Sequence, residues 1–229
     1  MTITRWAKYS STALLSFDDF FKQFPSKLVK KRITIMPAGV TPTDVYYLKK
    51  GYARTYSVSE SGEELTMVIF QPGDFFPLIS TITPKKLKYY IESITEVELI
   101  PVPRTKFIEF LRSGIQKGRD EILIDFALKL TARFEGVLTR MEHLVFGTAQ
   151  QRLASIILIL GERFGEKHGS QIFIKSPLTH LDLASLVGIT RETTTLILHD
   201  LTEKGYINFA KKHLIIKNQK NLERESSVC

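Results

Sequence analysis

Between Leu178 and Ile207 lies a stretch whose residue types and order suit hydrogen bonding to nucleic-acid base edges. Its centre is Thr190-Arg191-Glu192-Thr193-Thr194-Thr195. An arginine fork donates two hydrogen bonds to guanine, a glutamate accepts from the cytosine amine, and threonines reach phosphates or thymine methyls. Such groups act together only on a common helical surface, and the flanking residues predict one. Thr190 is a helix-capping residue type, and the apolar spacing beyond it is helical. This spacing predicts a helix that buries Thr193, Leu196, Ile197 and Leu201 and exposes Arg191, Glu192, Thr194, Thr195 and His199.

The preceding residues predict a support for that helix. Thr179 and Asp182 form a helix start signal, and a first helix from about Thr179 to Val187 would bury Leu183, Ala184 and Val187. Gly188 stops it where a helix-turn-helix needs a positive φ angle, and Ile189 plugs the turn. Thr179 and His180, at the start of the first helix, join the candidate DNA-facing set. Past Lys204-Gly205, Tyr206 to Ala210 and Leu214 to Lys217 predict a two-stranded wing. Lys211-Lys212-His213 fall at its tip, where lysines suit phosphate contact. An ordinary three-helix subdomain with a solvated charged face is the competing account. The succession of cap, Ala184, glycine turn, polar first turn and basic wing favours DNA.

The rest of the chain must carry and place this element. From Arg32 to Val102 short β-type runs alternate with turn signals, among them Pro37-Ala38-Gly39, Ser61-Gly62 and Pro72-Gly73-Asp74. That spacing predicts a sandwich or small barrel. Pro103 then leads into a short helix at Lys106–Leu111, and a long helix is predicted from about Arg119 to Phe146. Within it Leu123, Ala127, Leu130, Phe134, Val137, Met141 and Leu144 recur at alternating spacings of four and three, an a/d seam. A helix packed on its own domain shows a broader stripe, and Ile122, Ile124, Phe126, Leu128 and Leu138 do widen this one. We read it as pairing with a second copy while leaning on the β-domain. Ala149 to Phe164 forms the next helix, and the polar tail from Asn218 to Cys229 is expected to end in disorder.

Composition sets the outer bounds. The chain has 229 residues, 43% of them hydrophobic and 24% charged, which excludes wholesale disorder and collagen-like fibre. Its net charge of +8 favours a polyanionic partner weakly. The excess is not concentrated toward the C-terminus, so it does not locate a DNA site. The one cysteine, Cys229, excludes an intramolecular disulfide and a thiolate cluster within one chain. No apolar run reaches the length of a membrane span or signal peptide, so the expected compartment is the cytoplasm, with no membrane partner.

Taken together, the motifs resemble the CRP/FNR family of bacterial transcription regulators across nearly the whole chain. Thr190-Arg191-Glu192-Thr193 matches that family's Ser/Thr-Arg-Glu-Thr recognition start. Ala149-Gln-Gln-Arg-Leu-Ala154 is similar to the motif that opens its DNA-binding domain. Leu48–Tyr56, Ser61–Leu65 and Phe70–Phe76 resemble its cyclic-nucleotide-binding-like β-roll. The resemblance implies an α+β chain. Residues 1–118 would form an N-terminal β-roll (jelly-roll-like) sensor domain, 119–147 a central dimerisation helix, and 148–229 a C-terminal winged helix-turn-helix domain. It implies a homodimer on double-stranded DNA, with RNA polymerase as a candidate partner and a small-molecule effector of unassigned identity. By matched position, Arg191 and Glu192 would read bases, and Thr195 stands where FNR-type members have a base-contacting serine. Leu196 departs from the arginine frequent at its position.

The sensor region departs further. Cyclic-nucleotide binders of the family carry a Gly-Glu pair soon after the Gly-Asp-Phe turn, then Arg-Ser/Thr. Here Pro77-Leu78 follows Phe76, and no Arg-Ser or Arg-Thr lies between Thr81 and Glu96. The helix positions that would meet adenine are Val137 and Leu138. The resemblance therefore predicts no cyclic nucleotide. It predicts no cofactor or metal either, since the N-terminal cysteines of FNR-type clusters are missing and the first histidine is His143. That histidine count also disfavours a cupin-like enzyme. Lys85, Lys86, Lys88, Tyr89 and Tyr90 could face an anionic effector, although such a run is more often a solvated loop. Phe75, Phe76, Tyr90, Phe126 and Leu130 could line an apolar effector pocket, with core packing the competing and better account. No nucleophile–base pair appears, so the expectation is a regulator and not an enzyme. The alternative is a regulatory module whose C-terminal helices bind a protein partner.

Overall fold

The computed structural model describes residues 17–116, 120–210 and 213–227. Among these, one compact unit comprises residues 17–61 and 67–133, and the other comprises 62–66 and 134–227.

The strands up to residue 103 are β1 (Lys27–Val29), β2 (Thr34–Met36), β3 (Asp44–Lys50), β4 (Ala53–Val58), β5 (Glu64–Phe70), β6 (Phe75–Phe76), β7 (Tyr90–Ser93) and β8 (Val97–Pro103), all in the first unit except residues 64–66 of β5, which belong to the second. They form two four-stranded sheets, ordered β1-β8-β3-β6 and β2-β7-β4-β5. Alternation along the strands covers the first sheet on both faces. Val45 and Tyr47 of β3, Ile100 and Val102 of β8, and Phe75 join a core with Phe17, Phe20 and Phe21 of α1 (Phe17–Phe21) and with Phe107. Their neighbours Leu48, Val97, Leu99 and Phe76 point the other way, into a second core with Met36, Phe70 and Ile91. Strands β1 and β6 and helix α1, too short to show a period, were not foreseen from the sequence. The helix after Pro103 is longer than expected: after α2 (Leu78–Ile82), α3 runs Arg104–Gln116.

Helix α4 (Asp120–Phe146) has 27 residues and carries two apolar faces. Ile122 and Phe126 are buried in the core that holds Phe75, and Leu123 packs against it. Further along, Phe134, Val137, Leu138, Met141 and Val145 are between 47% and 64% exposed. These fall at i, i+3, i+4, i+7 and i+11, one continuous stripe. The predicted seam is thus corrected at its ends. Leu123 serves its own unit, and Leu144 is half-buried against the helix that follows, while Ala127, Leu130, Phe134, Val137 and Met141 stay exposed.

In the second unit α5 (Ala149–Phe164) is the central rod, with Leu153, Ala154 and Ile157 fully buried. Thr148 caps it through a reciprocal capping box with Gln151. Around it lie α6 (His180–Val187), α7 (Arg191–Glu203), α8 (Gln219–Ser226) and one four-stranded sheet ordered β11-β12-β10-β9. The wing is therefore not two strands alone. The hairpin β9 (Gly165–His168) and β10 (Gln171–Ile174) extends β11 (Ile207–Ala210) and β12 (His213–Ile216), with β10 paired to β12. The polar tail is helical over Gln219–Ser226, and Leu222 is fully buried there. Among the described residues no helix is long and apolar enough to cross a membrane.

Candidate nucleic-acid interface

The candidate interface consists of two helices and the turn between them. Thr179 caps α6: its hydroxyl accepts from the Asp182 amide, and the Asp182 carboxylate accepts from the Thr179 amide at 2.8 Å and its hydroxyl at 2.7 Å. Asp182, Leu183, Ala184, Leu186 and Val187 are buried. Gly188 then takes φ 67° and ψ 44°, and its amide donates to Ala184. A side chain there would be strained, because left-handed backbone brings Cβ against the following carbonyl. Thr190 caps α7, accepting from the Thr193 amide at 3.1 Å.

Helix α7 presents a different face from the one its hydropathy suggests. Thr194, Leu198 and Leu201 are its buried residues. Thr194 is fully buried, and its hydroxyl donates to the Thr190 carbonyl at 2.9 Å. This removes Thr194 from the DNA-facing set. Leu196, expected inside, is 73% exposed. Its position explains this: it lies two residues, about 200°, from Thr194 around the helix. Thr193 and Ile197 are half-buried, and Arg191, Glu192, Thr195 and His199 are exposed as expected. Arg191, Glu192 and Thr195 share the first turns with Leu196. His199, one turn on, lies 3.6 Å from Glu203.

His180, at the first position of α6, reaches across to α7. Its Nδ1 is 2.9 Å from the Thr195 hydroxyl oxygen, and that hydroxyl donates to the Arg191 carbonyl at 2.9 Å. The His180 ring also lies 5.7 Å from the ring of Phe209 on β11. Thr179 and Thr190 are exposed at the two helix starts. Lys211 and Lys212 lie outside the described residues.

Other groups hold this face in place, and sequence reasoning did not find them. Gln150 of α5 donates to Asp200 of α7 at 3.0 Å and to Glu225 of α8. Lys204 pairs with Asp200 at 2.8 Å, a hydrogen bond that raises the lysine pKa above its ordinary value. Without α8 in the prediction there was no signal for this cluster. At the other end of α6, Arg140 donates to the carbonyls of Leu186 and Thr66, and the Thr66 and Ser185 hydroxyls are 2.7 Å apart. Burial lowers the pKa of Arg140. It also lowers that of His143, whose buried Nδ1 has no hydrogen-bond partner among the described residues.

The residues considered for an effector are not gathered. Phe75 and Phe126 fall in one core and Phe76 in the other, which is the packing account. Tyr90 stacks on Tyr56 at 5.3 Å, and Leu130 is exposed on α4.

The chain matches two domain families, a cyclic nucleotide-binding domain over residues 27–113 and a Crp-like helix-turn-helix domain over residues 151–225. It is 31% identical over 194 residues to the global nitrogen regulator of Nostoc sp., an alignment covering 84% of this chain and 85% of that protein. It is 28% identical over 193 residues to a CRP-like cAMP-activated global transcriptional regulator of Mycobacterium tuberculosis, covering 84% of each. Among solved structures it resembles a CRP/FNR-family transcriptional regulator of Thermus thermophilus. That match has TM-score 0.66 and 25% identity, and covers 88% of this chain and 98% of that one. The fold also matches FixK2 of Bradyrhizobium japonicum, with TM-score 0.73 and 20% identity over 89% of this chain and 98% of that one.

Proposed function

We propose how this chain, which belongs to the CRP/FNR family and is a DNA-binding transcription regulator of that type, engages its operator. Two copies pair along the exposed apolar stripe of α4. Each inserts the first turns of α7 into the major groove, with the two helices about 34 Å apart on an inverted repeat. Arg191 and Glu192 read base edges. Leu196 offers no donor and meets a thymine methyl. Thr179, Thr190 and the Lys211-Lys212 wing tip lie against phosphates. The regulator works in the cytoplasm, carries out no catalysis and answers to an effector other than a cyclic nucleotide.

One observation carries this reading. Arg191, Glu192, Thr195 and Leu196 are all exposed on a helix whose opposite face is anchored by Thr194, Leu198 and Leu201. A helix with that division offers base-reading groups on a rigid support, as groove recognition requires.

Operator selection from random duplexes tests it. Wild type should select an inverted repeat. Arg191→Ala should lose about 1–3 kcal/mol per half-site and relax base choice at one position. Lys212→Ala should weaken all sequences alike and lower the salt slope by about one per contact. An unchanged consensus for Arg191→Ala would show that another residue reads the base. Calorimetry with cAMP and cGMP should show no saturable micromolar binding.

A further inference from the structure

We propose that the Thr195 hydroxyl is held as an acceptor-only group and therefore reads an exocyclic base amine, adenine N6 or cytosine N4, with His180 as its positioning residue. This rests on the reading that α7 enters the major groove, and it adds which base chemistry one position of the operator must show.

The hydroxyl has one proton and two neighbours, the Arg191 carbonyl oxygen and His180 Nδ1, each at 2.9 Å. A carbonyl oxygen only accepts, so the proton between it and Thr195 comes from Thr195. With that proton used, the threonine oxygen faces His180 with a lone pair. The ring must then carry its hydrogen on Nδ1. A hydroxyl oxygen has two lone pairs, and one now receives Nδ1–H. The other is what Thr195, an exposed residue, has left for a ligand.

The major groove sorts bases against such a group. Guanine shows N7 and O6, and thymine shows O4 and a methyl, so both would meet it lone pair to lone pair. Adenine N6 and cytosine N4 present hydrogens. Glu192, three residues earlier on the same helical face, is likewise an acceptor when ionised. This side of α7 thus favours amine-bearing edges beside the donor fork of Arg191.

His180 acts through Thr195 and not on the base. A helical threonine divides between two χ1 rotamers, only one of which gives this pair of contacts. The Nδ1–H bond selects that rotamer, and the 5.7 Å packing on Phe209 holds the ring from behind. Loss of the ring donor releases the second rotamer, which turns the hydroxyl away from the carbonyl.

Two measurements test the proposal. Long-range proton–nitrogen spectra of the full chain without DNA, recorded with the ring neutral, should show His180 protonated on Nδ1. A ring protonated on Nε2 would overturn the proposal whatever the DNA result. Within the selected half-site, wild type should require the amine of one adenine or cytosine. Replacing that base by purine or by 2-pyrimidinone, which lack the amine, should weaken binding about 3- to 10-fold per half-site, the size of one hydrogen bond. The purine and pyrimidinone duplexes distinguish the two amines. Thr195→Val should abolish the discrimination and Thr195→Ser should keep it. His180→Phe should reduce it while leaving base choice opposite Arg191 unchanged. Equal discrimination by Thr195→Val, or a half-site in which no amine removal weakens wild-type binding, overturns the proposal alone. Undiminished discrimination by His180→Phe overturns the role given to His180. A chain that selects no sequence overturns the operator reading and this proposal with it.

Discussion

Replacing Phe134 with alanine is expected to weaken self-association sharply without unfolding the chain. Phe134 is 64% exposed, in the middle of the apolar stripe of α4. An aromatic side chain has roughly 150–250 Å² to bury, so about 100–160 Å² of Phe134 is available to a partner. At ~25 cal/mol per Å² this contributes about 2.5–4 kcal/mol per copy. Two-fold symmetry counts the residue twice, whereas association converts area to affinity incompletely and alanine keeps part of the contact. A net loss of about 2–3 kcal/mol follows, roughly a 30- to 150-fold weaker dimer. Sedimentation equilibrium over a dilution series reads this directly. Ile79→Ala is the control: Ile79 is 66% exposed, as open as Phe134, but belongs to α2 and not to the stripe. A dimer constant unchanged by Phe134→Ala, or lowered equally by Ile79→Ala, would refute α4 as the interface.

Three further outcomes are expected. Thr194→Val should cost about 1 kcal/mol in denaturant unfolding, because a buried hydrogen bond to the Thr190 carbonyl is lost, and should leave the selected operator unchanged. A shifted consensus would mean that Thr194 faces DNA. Leu222→Ala should lower stability by about 2–5 kcal/mol, since that fully buried side chain anchors α8, and an unchanged melting temperature would refute the docking of that helix. Glu98 is held at about 2, below its ordinary 4.5, by the hydrogen bond from Lys49, then by that from Ser26, with the Lys49 and Lys50 charges adding to them. Its folded value is the lower one, so its stabilisation is complete above pH 4.5 and lost as pH falls toward 2. Glu98→Gln should flatten that acid limb when urea midpoints are compared across the range.

How much the sequence disclosed depended on whether a local rule or a tertiary contact decided each position. Gly188 and the caps at Thr179 and Thr190 follow local rules, and each is where the residue types put it. The exposed face of α7 was harder, because hydropathy ranks leucine above threonine while packing ranks shape and position. Helices α6 and α7 pack against each other. The stripe that α7 buries is 194, 198 and 201, spaced by four and three. A threonine can occupy the first of these because its hydroxyl is satisfied by the carbonyl one turn back, at Thr190. Once Thr194 is inside, Leu196 has to be outside, whatever its hydropathy. Helix α8 posed the opposite problem. Its burial rests on Leu222 and Ser226 in an otherwise polar segment, which leaves no period to read. Gln150 and Gln151, which bond to Glu225 and to Ser227 at its end, stand 75 and 76 residues before those partners, at distances along the chain that no window of pattern reading spans. The seam of α4 lies between these cases. Its period was legible, but a period cannot say which part of a long apolar stripe serves the helix's own unit. Ile122 and Phe126 are taken by the phenylalanine core around Phe75 and Phe107. Beyond them the seam positions from Ala127 to Met141 stay exposed.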